Sequence, residues 1–243
     1  VLEEALELRQ RQQDSAGIAD ALTHMGSLAV AAGDRAQAYP LLQEALTRWE
    51  DAGDTFQAGA TITFYSLGAA AFTDGNLDEA AAFQLAALDR SEAARDMRMA
   101  GAVHLGLATI FQQQGDLPRA VRHVRAGMSA SVSLRDRFLL GWGTRATLAL
   151  LDERADAEAR ARLLGSAEAL FQATGATLTV WERMVASQGV AGLRQRVERE
   201  QWGAAYHEGH SLSFGEVAAL CLTLLEDFAK TLAHPVAGGH LAP

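Results

Sequence analysis

The sequence contains a single cysteine, Cys221, and Lys230 is the one lysine among 21 basic residues. One cysteine cannot form a disulfide within the chain, which suits a reducing cytoplasm. Cys221 lies in the apolar run Val217–Leu225, so we expect its thiol to be buried and unreactive. A phosphate-binding loop needs a lysine directly after a glycine. Lys230 follows an alanine, which excludes nucleotide hydrolysis by this stretch of chain.

Long apolar runs, basic surfaces and strand patterns are also missing. No apolar run approaches the roughly 18 residues needed to span a bilayer, and the charged residues after Val1 do not form a signal peptide. The net charge of −9 argues against direct nucleic-acid contact, because duplex binding requires a basic face. Only 4 prolines are present, and no stretch alternates β-branched with polar residues. We therefore expect a soluble, cytoplasmic, all-α protein.

The sequence does contain a repeated pair of amphipathic segments. The stretch Asp14–Asp54 holds two such segments, separated by Gly33-Asp34, with apolar residues at helical spacing. Gly26 and Ala38 are small enough to let two helices approach closely. This pattern predicts a helical hairpin. A single hairpin cannot bury its second apolar side, so it needs neighbours stacked on it.

The hairpin unit recurs along the chain. Its turn returns as Gly75-Asn76 and Gly115-Asp116, at spacings of 42 and 40 residues. Val1–Asp14 aligns without gaps on Leu41–Asp54, which predicts that the sequence begins inside a repeat and that residue 1 is not the natural start of the protein. Aspartates suited to capping a first helical turn stand before the apolar segments, at Asp14, Asp54, Asp96 and Asp136.

The C-terminal part is predicted to end the repeat array. A degenerate fourth hairpin is expected at Asp136–Leu151 and Asp156–Thr174, and Ser213 and Glu216 have the spacing of a capping box. The fold prediction is a tetratricopeptide-like, right-handed α-solenoid over residues 1–176, a helical cap over residues 177–232 and a linker or tail over residues 233–243. The predicted cap helices are Val180–Arg199, Gln201–Gly209 and Ser213–Leu232.

The segment 206–213 comes nearest to a catalytic or metal-binding pattern. His207 and His210 flank Glu208, but zinc proteases place their histidines four residues apart, and no third ligand is in view. Ser211 and Ser213 lie near His210 without a GxSxG motif, and helix capping explains Ser213 better. We therefore expect no enzymatic activity, no metal and no cofactor anywhere in residues 1–243.

Binding is the more natural use of a helical array, because its first helices line a continuous concave surface. The hairpin pattern predicts that several first-helix residues point to that surface and that others lie near it. The alternative for the aromatic residues Phe72 and Trp142 is that they pack between hairpins. The residues predicted to point to the surface are Thr23, Ser27, Tyr65, Phe72, Leu105 and Gln112, and those near it are His24, His104, Trp142 and Arg145.

The sequence resembles known proteins in two ways, one general and one more specific. The repeats resemble the tetratricopeptide pattern, with Gln84 and His104 standing where that pattern has large apolar residues. The passages ARLLGSAEALFQATGA (161–176) and WERMVASQGVAGLRQRVEREQWGAAYHEGHSLSFGEVAAL (181–220) resemble the C-terminal repeat region of MalT-like bacterial ATP-binding transcriptional regulators of the LuxR class.

That resemblance implies a role as a sensor module. In this class an upstream ATPase binds ATP and drives homo-oligomerisation, the repeat array senses an inducer or partner protein, and a separate helix-turn-helix contacts DNA. Neither the ATPase nor the DNA-binding module lies in these residues. The leading alternative is a free-standing repeat scaffold or adaptor, and a third is an unrecognised hydrolase.

Overall fold

The computed structural model describes residues 2–53, 57–151, 157–175 and 200–233. These ranges contain eleven α-helices and no β-strand. The helices are α1 Leu2–Arg11, α2 Ser15–Ala32, α3 Arg35–Ala52, α4 Gln57–Thr73, α5 Leu77–Ala93, α6 Met97–Gln113, α7 Leu117–Leu134, α8 Arg137–Leu150, α9 Ala157–Thr174, α10 Glu200–Ser211 and α11 Phe214–Ala233.

The helices pack as successive hairpins. The four pairs are α2 with α3, α4 with α5, α6 with α7, and α8 with α9, and each second helix also contacts the first helix of the next pair. α1 packs on α2 as the second half of a preceding unit would. The predicted all-α solenoid of stacked hairpins is therefore confirmed. Within the described ranges, no helix is both long and apolar enough to cross a membrane.

Polar caps fix where the helices begin and end. Asp14 accepts a hydrogen bond from the backbone N–H of Gly17 at 2.9 Å, and Asp96 accepts one from that of Met99 at 2.9 Å. Asp136 caps α8 in the same way, whereas the predicted cap Asp54 lies outside the described residues. The turn glycines at positions 33, 75 and 115 all have φ of 76–77°, in the left-handed region that favours glycine. These local signals set the hairpin period.

Small residues bring paired helices close together. A Cβ atom on Gly26 would lie 2.6 Å from Cγ of Leu42, and Ala38 and Leu42 are both 0% exposed. The same contact in the second hairpin places Gly68 against the side chain of Gln84. The close approach predicted for Gly26 and Ala38 is thus present.

The C-terminal helices cover the array in two ways. α10 packs along α9, while α11 lies across α7 and α8 and touches α9. The predicted capping box is confirmed, because the backbone N–H of Ser213 donates to Glu216 at 2.8 Å and that of Glu216 donates to Ser213 Oγ at 3.4 Å. The helix predicted at Val180–Arg199 and the predicted tail from His234 onward lie outside the described residues.

Candidate functional site

The first helices α2, α4, α6 and α8 form what we call the first-helix face, and polar contacts join α2 to α4 along it. The hydroxyl oxygens of Thr23 and Thr63 lie 2.7 Å apart, and Trp49 Nε1 donates to Thr63 Oγ1 at 3.1 Å. One turn further, the hydroxyl oxygens of Ser27 and Ser66 lie 2.7 Å apart. Thr23 and Ser27 were predicted to point to the open surface, but their hydroxyl groups connect neighbouring hairpins.

The open part of this face begins next to those contacts. His24 is exposed, and its Nδ1 atom lies 2.9 Å from the carbonyl oxygen of Asp20. Leu28 follows four residues later on the same side of α2 and is 59% exposed. His24 therefore lies on an accessible surface, together with an apolar neighbour that the sequence analysis did not single out.

Three of the other predicted residues are buried. Phe72 is 4% exposed, Trp142 2% and Leu105 0%. The Leu105 side chain lies against Gly127 of α7, so it faces the second helix of its own hairpin rather than the open surface. Trp142 contacts Phe138 edge to face at 6.4 Å between ring centroids. The packing alternative describes Phe72 and Trp142 better than ligand contact does.

The remaining predicted residues are half-buried. Gln112 links first helices, because its Nε2 donates to the carbonyl oxygen of Ala149 at 2.5 Å. The Arg145 guanidinium lies 5.5 Å from the ring centroid of Phe171, a cation–π contact. Tyr65 packs against the main hydrophobic core. These side chains contribute to the framework of the face more than to its accessible surface.

His104 belongs to a histidine pair inside the third hairpin. Its Nδ1 atom lies 2.9 Å from Nδ1 of His123 on α7, and the ring centroids are 5.1 Å apart. The His123 ring also contacts Phe111, over which the Arg119 guanidinium is placed at 4.5 Å. One imidazole donates its N–H to the ring nitrogen of the other, so the neutral pair satisfies both Nδ1 atoms.

The surroundings keep both imidazoles neutral. Burial lowers the pKa of His104 from its usual value, although the Glu92 carboxylate opposes this effect. Burial, the neighbouring His104 and the positive charges of Arg122 and Arg119 lower the pKa of His123 to about 4. The pair is therefore uncharged near neutral pH.

His123 was missed by the sequence analysis, although the repeat alignment contains the signal. Positions 40 residues before His104 and His123 hold Phe64 and Phe83, whose ring centroids lie 6.3 Å apart in the second hairpin. Two facing positions that are aromatic in one repeat and histidine in the next indicate contact across the hairpin. Only an alignment of second helices as well as first helices makes this visible.

The histidines of segment 206–213 do not form a metal site. Glu208 is paired with the Arg162 guanidinium at 2.8 Å, and the ring of His210 lies beside that of Tyr206. Across the described residues, no three His, Cys, Asp or Glu side chains lie close enough together to hold a metal ion.

These features define the class of the protein by its fold, an α-solenoid of stacked helical hairpins. No protein-family model matches the sequence, and no curated protein matches it at a significant level of similarity.

Proposed function

We propose that this array is the sensor and protein-interaction module of a bacterial transcriptional regulator of the LuxR class, and that an inducer or partner protein binds its first-helix face. The resemblance of residues 161–220 to such regulators motivates the proposal. Its main structural support is that polar contacts join the first helices side by side next to exposed His24 and Leu28. Such a surface suits a protein or small-molecule ligand.

The mechanism follows from the way the hairpins are joined. Each hairpin contacts its neighbours, so a small change at one junction alters the curvature of the whole stack. A ligand that binds one curvature more tightly than another shifts the population toward it. In a regulator of this class, that shift would favour the arrangement in which an upstream ATP-binding domain oligomerises and a separate helix-turn-helix binds DNA.

The test compares two exposed leucines in the bacterium that carries the gene. Leu28 lies on the first-helix face, whereas Leu85 lies on a second helix and is 42% exposed. Deletion of the gene is expected to change a defined set of transcripts, measured by RNA sequencing. Wild-type and Leu85→Asp genes should restore those transcripts, and Leu28→Asp should not, at equal protein levels on immunoblots.

Two outcomes would contradict the proposal. Unchanged transcripts in the deletion strain would favour the free-standing scaffold. Full restoration by Leu28→Asp would show that the first-helix face is not where the ligand binds. Leu28 is 59% exposed and Leu85 42%, so Leu85→Asp removes at least as much buried apolar area as Leu28→Asp. A loss of function in Leu28→Asp alone therefore reports on binding rather than folding.

A further inference from the structure

Helix α11 shows what kind of ligand fits in a groove between two second helices. The second helices of the array are α3, α5, α7 and α9. Val217, Cys221 and Leu225 of α11 are buried at intervals of four residues. Thr223 and Lys230, on the opposite side of α11, are exposed. Because α11 lies across α7 and α8 and touches α9, it is an amphipathic helix bound in a groove of its own chain.

The helices beneath α11 have counterparts two repeats earlier. α7, α8 and α9 correspond to α3, α4 and α5, and Thr144 of α8 corresponds to Phe64 of α4. Thr144 is 0% exposed and lies under α11, with its Oγ1 atom 3.5 Å from Cys221 Sγ. Phe64 is only half-buried and contacts Phe83 of α5. The Arg90 guanidinium lies 4.3 Å from the Phe64 ring centroid, so an arginine side chain rather than a helix covers the aromatic surface in this earlier counterpart of the groove.

An open cleft lies at one end of this counterpart, between α3 and α5. It has a volume of about 590 Å³ and is lined by Arg35, Ala36, Tyr39, Pro40 and Glu79. Ala36 and Pro40 are exposed, and Tyr39 packs against the main core. Phe83 follows Glu79 by one helical turn on the same side of α5, so the aromatic pair lies next to the cleft along that side of the helix.

The Glu79 carboxylate is the negatively charged group that lines the cleft. The Tyr39 hydroxyl is buried beside the Glu79 carboxylate, and burial together with its interaction with Glu79 raises the pKa of Tyr39 to about 12. Pro40 has no N–H to donate to the carbonyl oxygen of Ala36. The Arg35 guanidinium already pairs with Asp74 at 2.5 Å. A ligand that supplies a donor with positive charge would complement this end of the cleft.

The next cleft along the array has a different character. It lies between α5 and α7 and has a volume of about 770 Å³. Its side chains already pair with one another, because Gln114 donates to Asp78 at 2.8 Å and Arg119 donates to Asp116 at 2.5 Å. An apolar helix face would have to displace those contacts, so this cleft is a poorer match than the one between α3 and α5.

We propose that the cleft between α3 and α5 binds an amphipathic helix of a partner protein, with a lysine or arginine at the end that faces Glu79. The bound helix occupies the place that α11 occupies two repeats later. Its apolar side covers Tyr39 and replaces the Arg90 side chain over Phe64. This site lies between second helices and does not depend on the function proposed for the first-helix face.

The probe is a fluorescein-labelled synthetic peptide of residues 213–233, the sequence of α11, added to the intact chain. Cys221→Ser removes its thiol, and Glu226→Gln with Asp227→Asn leaves Lys230 as the charge near its C-terminal end. Fluorescence anisotropy measures binding to the wild-type chain and to three variants. Ala36→Trp fills the cleft, Glu79→Gln removes its carboxylate, and Ala204→Trp is the matched control at an exposed alanine of α10.

The chain's own cysteine shows which groove the peptide enters. Cys221 is 0% exposed, so it reacts with Ellman's reagent only if α11 is displaced. We expect saturable binding that Ala36→Trp weakens by about tenfold or more and Ala204→Trp leaves unchanged, while Cys221 stays protected. Glu79→Gln should weaken binding by several-fold, and by less at about 0.5 M salt.

Three results would overturn the proposal. They are the absence of saturable binding, equal affinity of the Ala36→Trp and Ala204→Trp variants, and Cys221 becoming reactive in step with peptide binding. The last result would place the peptide in the α11 groove. Circular dichroism checks that each variant is folded, and if Ala36→Trp is not, unchanged affinity in Glu79→Gln overturns the proposal instead.

Discussion

His104 and His123 share a single hydrogen-bonding proton between Nδ1 atoms 2.9 Å apart. The neutral pair has one N–H pointing at one lone pair, and one added proton can be held on the free Nε2 of the donor ring without breaking that contact. A second added proton places two N–H groups face to face between two positive rings. The third hairpin is therefore joined by a contact that depends on protonation, where the second hairpin has the Phe64–Phe83 pair.

We expect the free energy of unfolding to fall as the pH decreases from about 6.5 to about 4. The pKa of an unfolded histidine is about 6.5, whereas that of His123 in the folded chain is lowered to about 4. The unfolded chain therefore binds more protons in this window, and protonation favours it. After allowance for the partial exposure of the pair, the loss should be about 1–2 kcal/mol. Urea unfolding at several pH values measures it.

The matched variant replaces the histidine pair of the third hairpin with the phenylalanine pair found at the same positions of the second. A chain with both His104→Phe and His123→Phe should lose about 1–2 kcal/mol less than the wild type over the same pH range. Carboxylates elsewhere titrate equally in both chains, so the difference isolates the pair. Identical pH profiles would show that this contact does not govern acid sensitivity.

Gln84 is a second polar residue at an apolar position, and its replacement should stabilise the protein. It is 0% exposed, its Nε2 donates to the Tyr65 carbonyl oxygen at 3.2 Å, and its Oε1 is buried without a partner. The corresponding residues of the other hairpins are Leu42 and Val124. Gln84→Leu removes an unsatisfied acceptor and should add about 1 kcal/mol, or about 2–4 °C in Tm by calorimetry.

The control substitution at position 84 keeps the shape of the glutamine side chain and adds a negative charge. Gln84→Glu places a carboxyl group in the same buried site and should lower Tm, with the loss growing as the pH rises above the range in which the carboxyl is protonated. A lower Tm for Gln84→Leu would mean that the hydrogen bond to Tyr65 outweighs the unsatisfied oxygen.

The contact between α9 and α10 depends on glycine, because the two backbones touch. A Cβ atom on Gly209 would lie 2.0 Å from the carbonyl oxygen of Arg162, and the Gly209 carbonyl oxygen accepts from Ser166 Oγ at 2.9 Å. Gly209→Ala must push the helices apart and should cost about 2–3 kcal/mol in thermal or urea unfolding.

Gly203 on the same helix is the matched control. An added Cβ there meets nothing within 4 Å, so Gly203→Ala should stabilise α10 by about 0.5–1 kcal/mol through helix propensity alone. Opposite signs for the two glycines are the expected result. Equal effects would show that the close approach does not limit stability.

The hairpins were predictable from sequence because their signals are local. The turn at Gly33 and the caps at Asp14, Asp96 and Asp136 depend on residues only a few positions apart, and the fourth hairpin was predicted to within about two residues of its observed ends. Amphipathic spacing then required that successive hairpins stack. These inferences needed no knowledge of distant contacts.

The binding surfaces were less predictable because they depend on packing between distant segments. The apolar side of α11 is visible in the sequence, but periodicity does not tell which groove receives it, and it was expected to close the end of the array. The helical spacing of Phe72 and Trp142 fits a position on the concave surface as well as it fits a position between hairpins. In the folded chain they are only 4% and 2% exposed. Burial is a property of the assembled core, and helical spacing alone does not determine it.

Docking of α11 can be followed through Cys221. Burial raises the pKa of its thiol to about 11, although hydrogen bonding to Thr144 and Thr147 opposes the shift, and the side chain is 0% exposed. The native thiol should therefore not react with Ellman's reagent at pH 8, and it should react fully in denaturant. Leu225→Asp places a charge in the same buried interface and should release α11, which exposes Cys221 while the hairpins stay helical.

The control is Leu222, three residues earlier on α11, at the edge of the buried side. Leu222 is 37% exposed, so Leu222→Asp should leave α11 bound and Cys221 protected. Thiol titration and circular dichroism together separate two physical cases. A reactive thiol with unchanged helicity means that α11 opens as a local unit, because the hairpins retain their own core. Loss of helicity together with thiol exposure in Leu225→Asp would mean that α11 completes the core of α7 and α8 and unfolds with it.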